Sequence, residues 1–259
     1  MLIDRLYRYP VKGLSPERLT AAELPAGGYF PGDRLFAIEN GPSGFDPAEP
    51  AHQPKTRYLM LMRDGALARL RSRYEDAGGV LVIREGEREV LRAATGSKEG
   101  RAAITRFFEG FMPASLRGAP KLLAAPPSYR FTDSRSGFVS IINSASVADL
   151  EQRIGLPVDP LRFRGNLLVS GLEAWAENDL VGRDLTGPDG LRLHVIKRIE
   201  RCAATNVDPE TGERDRQIPK ALMTHYGHVD CGIYCRIIAG GRLSEGTVLT
   251  PAEGEPAAS

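Results

Sequence analysis

Residues 201–212 read Arg-Cys-Ala-Ala-Thr-Asn-Val-Asp-Pro-Glu-Thr-Gly. A strand-like run, Leu191 to Ile199, leads into them, and Asp208-Pro209 and Thr211-Gly212 are turn chemistry. Cys202 therefore stands at a strand end beside a loop, where it can be reached. Lys197, Arg198 and Arg201 are its sequence neighbours, and cations favour the thiolate, the form that attacks or binds metal. A buried, inert thiol is the alternative at this position. Outward from the loop, Asn166 to Val169, Gly232 to Ile238 and Thr247 to Leu249 read as strands. Thr211 to Tyr226 is ambiguous, because Pro219 breaks any single helix there. Cys231 and Cys235 share strand parity, which predicts one common face. Core packing is the preferred reading for both, over a Cys/His metal site with His225 and His228. His52 and His194 stand alone and read as surface or hydrogen-bonded structural residues.

The rest of the chain alternates short strands with turns. Leu2 to Val11, Arg18 to Leu24, Arg34 to Glu39 and Tyr58 to Met62 read as strands. Val80–Ile83 and Val90–Leu91 read as a hairpin around Glu85-Gly86-Glu87. Asn40 to Pro54 is a long loop rich in Gly, Pro, Ser and Asp, of a length often tied to function. Ile104, Phe107, Phe108 and Phe111 give Ser97 to Phe111 a helical period. A second helix follows, with Ser146 and Asp149 as a capping box, Val147, Leu150 and Ile154 on one face, and Gly155 as its C-cap. Ala114 to Pro127, small and Pro-rich, is the expected domain boundary, giving units 1–113 and 114–252 and a disordered tail 253–259. The pattern predicts a mainly β or α+β protein with barrel-like character. It has no β-α alternation and no glycine-rich turn after a strand, which excludes a doubly wound nucleotide fold.

Composition narrows the function. The 259 residues carry 34 Lys plus Arg against 33 Asp plus Glu, a formal charge of +1. A general nucleic-acid binder would be more basic. Three Cys exclude a disulfide scaffold and a four-ligand iron–sulfur domain. No apolar stretch is long enough to span a membrane. The first residues, MLIDRLYRYPVKG, lack a continuous apolar core, so a cytoplasmic location is expected. Lys12, Arg34, Arg162 and Arg164 each sit beside a turn, where side chain and backbone N–H can converge on an anion.

Five segments, in order, carry a resemblance. They are Tyr9-Pro-Val-Lys-Gly13, Gly32-Asp-Arg-Leu-Phe36, Ser144-Ala-Ser-Val-Ala-Asp-Leu150, Arg162-Phe-Arg-Gly-Asn166 and the Cys202 stretch. Together they resemble the molybdenum cofactor sulfurase C-terminal (MOSC) family, in the branch with an added N-terminal β-rich domain and amidoxime-reducing activity. The resemblance implies a β-barrel-like MOSC domain after a smaller β-rich one. It implies Mo-molybdopterin as cofactor, with Cys202 as catalytic residue and metal ligand. It places Lys12, Arg34, Arg162, Arg164, Asn166, Ser144 and Thr205 at the cofactor. Arg suits phosphate and pterin through planar multiple hydrogen bonds, and a soft thiolate suits the metal. Asp208 is assigned a proton-shuttle role or, preferably, a turn cap.

The activity implied is reduction of small N-hydroxylated molecules without pyridoxal phosphate. Electrons would come from a separate redox protein, since no flavin or nicotinamide fingerprint occurs. Lys197 to Arg201 is the expected docking patch for that donor. The rival implication is a sulfur carrier or cofactor-sulfuration protein with a persulfide on Cys202. Two departures stand out. Gly165 lies where relatives often have Pro, which predicts a more mobile loop, and Ala51-His-Gln-Pro-Lys-Thr-Arg57 replaces a family turn at the expected border of the site.

Overall fold

The computed structural model describes residues 1–135 and 138–252; the expected tail 253–259 lies outside them. In chain order the strands and helices are β1 (Leu2–Arg8), β2 (Glu17–Leu19), β3 (Ala21–Leu24), β4 (Phe36–Asn40), β5 (Leu70–Glu75), β6 (Val80–Glu85), β7 (Arg88–Ala94), α1 (Lys98–Phe111), β8 (Pro120–Ala124) and β9 (Val139–Asn143). There follow α2 (Ser144–Ile154), β10 (Leu167–Ser170), β11 (Asp184–Thr186), β12 (Arg192–Glu200), α3 (Ile218–Tyr226), β13 (Asp230–Ala239), β14 (Gly241–Ser244) and β15 (Thr250–Pro251). The mainly β, α+β reading holds. Among the described residues the strands form sheets of eight, three, two and two, with no closed ring.

The eight-stranded sheet runs β15-β11-β12-β13-β9-β10-β1-β2. Its only parallel pair is β9–β10, joined through α2; β1 lies antiparallel to β10, with Leu6 opposite Leu167. One core lies on this sheet, with Ile3, Leu6, Val139, Ile141, Val169, Val195, Ile233 and Cys235 among its residues. The first strands thus complete a sheet whose other members come from after residue 138. A second core gathers Ile38, Leu59, Leu67, Leu81, Ile83, Ile104 and Phe108 from the meander β5-β6-β7, the pair β4–β8 and α1. Val207, from the Cys202 loop, is buried in that second core.

Several local expectations change. Tyr58 to Met62 is no strand: Tyr58 makes a single bridge to Glu39, and the chain turns where Asp64 N–H donates to Met60 O at 2.9 Å. Its apolar residues are buried without a ladder. The Pro-rich stretch after Ala114 contains β8, which pairs along all of β4. Ser146 does not cap α2. Asn143 does, its side chain accepting the Ala145 N–H, while Ser146 is buried inside the helix and donates to Glu177. Gly155 ends α2 in the left-handed region, as read. Pro219 falls in the first turn of α3, where its missing N–H has no intrahelical partner to lose. β9, Val-Ser-Ile-Ile-Asn, is buried throughout, so it has no period-2 signal to read.

Candidate functional site

β12 ends at Glu200 and delivers Cys202 to the rim of a cavity of about 780 Å³. The turn after it is held locally: the Cys202 carbonyl accepts the Thr205 N–H at 3.0 Å and the Thr205 hydroxyl at 2.9 Å. The next turn is organised by Asp208, whose Oδ1 accepts the N–H of Glu210 at 2.9 Å and of Thr211 at 2.8 Å. Arg162, with its side chain 2% exposed, reaches Asp208 at 3.0 Å and Asp215 at 2.8 Å, and so clamps both ends of the loop. From the other half of the chain Arg71 donates to Pro209 O at 2.8 Å. Gly65 and Gly212 meet backbone to backbone, so closely that a β-carbon on Gly65 would lie 2.5 Å from Gly212 O. The thiol-bearing loop is therefore fixed by both halves.

Cations dominate the cavity walls. Nine Lys or Arg line it against three carboxylates, Asp33, Asp133 and Glu200. Arg34 and Arg164 both have left-handed backbones, φ 48° and 53°. Each guanidinium centre lies 4.3 Å from the centroid of the buried Tyr9 ring. Arg34 pairs with Asp33 at 2.6 Å and donates to the Arg164 carbonyl at 3.1 Å. Arg164 donates to Leu14 O at 2.8 Å and has no ion-pair partner among the described residues. Desolvation pulls its pKa down to about 10. Lys12 is buried, donates to Phe131 O at 3.0 Å and pairs with Asp133; burial lowers its pKa against the pull of that carboxylate. Arg201 donates to the carbonyls of Cys231 and Phe163, and burial lowers it too.

Of the residues singled out in the sequence, Lys12, Arg34, Arg162, Arg164, Asn166, Cys202 and Thr205 share this cavity wall. Ser144 and Asp208 are not on it. Ser144 opens α2, and Asp208 has both carboxylate oxygens engaged in capping its turn and in pairing with Arg162. Asp208 thus caps its turn, the role preferred from the sequence, with both oxygens accepting hydrogen bonds. Asn166 binds inward: its Oδ1 accepts the Ser140 N–H at 3.0 Å, and its Nδ2 donates to Tyr7 O at 3.2 Å, stitching β9 to β1. Cys231 and Cys235 do not share a face. Gly232, at φ 82°, bends β13 between them and sends them to different cores. Burial pushes the Cys231 thiol up to about 12 and Cys235 higher still. Among the described residues no three His, Cys, Asp or Glu come together as a metal site.

Sequence reasoning missed Tyr234 and Ser140 on the wall. Tyr234 had a signal: it alternates with Ile233 and Cys235, which face the core. His52 and Lys55, from the replaced family turn, also line the cavity. A β-carbon at Gly165 would lie 2.4 Å from Ile142 Cγ1, so glycine lets this loop pack closely on β9.

Two family models match. One described as the MOSC N-terminal beta barrel domain covers residues 1–118, and one described as the MOSC domain covers 128–250. The chain belongs to the MOSC family. Curated MOSC relatives include mitochondrial amidoxime-reducing component 1 of Homo sapiens, 32% identical over 35% of this chain and 26% of that protein. Mitochondrial amidoxime reducing component 2 of Bos taurus is 36% identical over 34% of this chain and 25% of that one. Molybdenum cofactor sulfurase of Caenorhabditis elegans is 33% identical over 40% of this chain and 16% of that one. The matched region thus spans about a quarter or less of these relatives. A solved structure, YUAD protein from Bacillus subtilis, covers 95% of this chain and 92% of its own at 12% identity and a TM-score of 0.45.

Proposed function

We propose that this MOSC protein is a molybdenum cofactor-dependent oxidoreductase that reduces N-oxygenated small molecules, with Cys202 as protein ligand to the metal. The observation that carries this reading is the single reachable thiol set among nine cations in one cavity. The donor set fits a metal that arrives with its own ligands, because the chain offers one thiol and no cluster of further metal-binding side chains among its described residues. The cations fit the cofactor's phosphate. Arg164 is desolvated and has no carboxylate partner among the described residues. Such a group calls for an anionic ligand.

When bound, the cofactor supplies the two-electron chemistry by which an N–OH group and two protons become N–H and water. The chain's own part is binding and orientation. Arg164, braced on Tyr9 beside Arg34, would hold the cofactor's phosphate. Thr205 and Arg162 hold the loop that aims the Cys202 thiol. Names such as amidoxime-reducing component, carried by relatives, support N-hydroxylated substrates, and a separate redox protein is proposed as electron donor. Protein from a host that makes molybdopterin is expected to contain about one molybdenum per chain and to reduce benzamidoxime with a chemical reductant. The match to a molybdenum cofactor sulfurase favours one other reading, a Cys202 persulfide carrier. Cyanide-labile sulfur without molybdenum or benzamidoxime turnover would replace the reductase by that carrier.

A further inference from the structure

We infer that the mouth of the cavity selects substrates bearing a carboxylate or phosphate remote from the N–O bond. This rests on the reductase reading above for the identity of the reacting end. The argument is one of charge left over. Deep in the cavity, Arg34 is paired with Asp33 and Lys12 with Asp133. Arg164 and Arg201 have no ion-pair partner among the described residues, and a phosphate monoester's charge of roughly −2 at neutral pH would match these two.

That leaves the outer wall. Lys55, Arg135 and Lys197 line the same cavity, are half-buried or exposed, and have no ion-pair partner among the described residues. Two carboxylates border them, Glu200 and the half-exposed Asp133, and Asp133 is already paired with Lys12, so three cations stand against one uncommitted carboxylate. His52 adds an observation from inside the field. Burial, Lys12 and Arg135 hold its pKa below the ordinary value although Asp133 faces it. Two cations, Lys12 and Arg135, thus bear on His52 against one carboxylate, Asp133. These cations border a concave volume large enough for a small molecule beside the cofactor, which favours a small anion over the face of an acidic protein.

The test compares benzamidoxime with 4-carboxybenzamidoxime, which differ by one remote carboxylate. Binding to the cofactor-loaded protein is measured by calorimetry without any reductant. At low salt the carboxylate is expected to bind at least about fivefold tighter, the worth of one partly screened ion pair. The preference should shrink as salt rises, survive Lys55→Arg, and fall by about tenfold in Lys55→Glu with Lys197→Glu. Equal binding of the two ligands, or a preference that the double charge reversal does not move, overturns the inference. Turnover is read separately with reduced viologen. If neither ligand is reduced while the binding preference holds, the reductase reading fails and the anion-selective mouth stands.

Discussion

Arg34 and Arg164 occupy backbone conformations that a β-carbon makes costly, on the order of 1 kcal/mol or more each. Both guanidinium groups lie against one tyrosine. Strain held at two such residues points to a ligand that repays it. Arg164→Ala is therefore expected to lower molybdopterin content, with affinity down about ten- to a hundredfold, and Arg164→Lys to recover only part, because an ammonium cannot make the planar fork. Arg164→Met adds a sharper expectation. It removes a partly buried charge with no carboxylate partner, so the cofactor-free protein should gain about 1 kcal/mol in urea unfolding while losing pterin. An unchanged pterin content would remove Arg164 from the site. Cys202 gives a chemical contrast. With Cys231 raised to about 12 and Cys235 above it, only Cys202 should react with iodoacetamide at pH 8 in the folded protein. Cys202→Ala should abolish molybdenum binding, whereas Cys231→Ala and Cys235→Ala should keep it. Lys12, Arg34, Arg162, Arg164 and Cys202 were legible because each is a cation or thiol at a turn, whereas Asn166 and Thr205 came only through the family resemblance. What Arg162 and Asn166 do with their side chains was not legible, because their partners Asp215 and Ser140 lie 53 and 26 residues away.

Two contacts between elements bear on stability. Asp149 on α2 accepts hydrogen bonds from the Tyr226 hydroxyl at 2.6 Å and from Trp175 Nε1 at 2.7 Å, tying α2 to α3. Those bonds favour its charged form and hold its pKa below the ordinary carboxylate value. A depressed carboxylate stabilises the fold above its unfolded pKa and loses that contribution as pH falls through the folded one. Wild type should thus lose about 1–2 kcal/mol relative to Asp149→Asn as pH drops below about 4, measured by unfolding at each pH. The second contact is Gly65 against Gly212. Gly212→Ala adds a β-carbon 2.6 Å from Gly65 O at φ 78°, which should cost about 2 kcal/mol and loosen the Cys202 loop. A Tm within a degree of wild type would show that the backbones separate freely. Helices α1 and α2 were readable from their 3.6-residue period, and the β6–β7 hairpin from its turn. β9 was not, since burial on both faces erases alternation, and β8 hid behind prolines because only Pro120, its first residue, lies within it.

At the scale of the whole molecule, the eight-stranded sheet is incomplete without residues 1–24. β1 covers β10 and β2 edges β1, while β3 pairs with β14 in a separate two-stranded sheet and Met1 donates to Leu249 O at 2.8 Å. Residues 114–252 expressed alone should not give a cooperative unfolding transition, and should regain one when residues 1–24 are fused to them by a flexible linker. The same scale governs electron supply. The full chain is expected to be inert with NADH or NADPH alone and to turn over once a separate redox protein or dithionite is added; steady turnover on NADH alone would reveal a cofactor bound elsewhere. The pairing of β1 also has a consequence in time. On the ribosome, Leu6 emerges long before Leu167, and Met1 waits for Leu249. At roughly 5–20 residues per second that wait is on the order of 10–50 seconds. During it, an apolar strand and its unpaired backbone edge stand open to chaperones or to wrong partners, while the second core's hairpins form behind it. The cavity draws on residues from Lys12 to Tyr234, so its wall is assembled only once Tyr234 has emerged. Loading of any cofactor must therefore wait for Tyr234 to leave the ribosome, and the nascent chain is most vulnerable to aggregation before it.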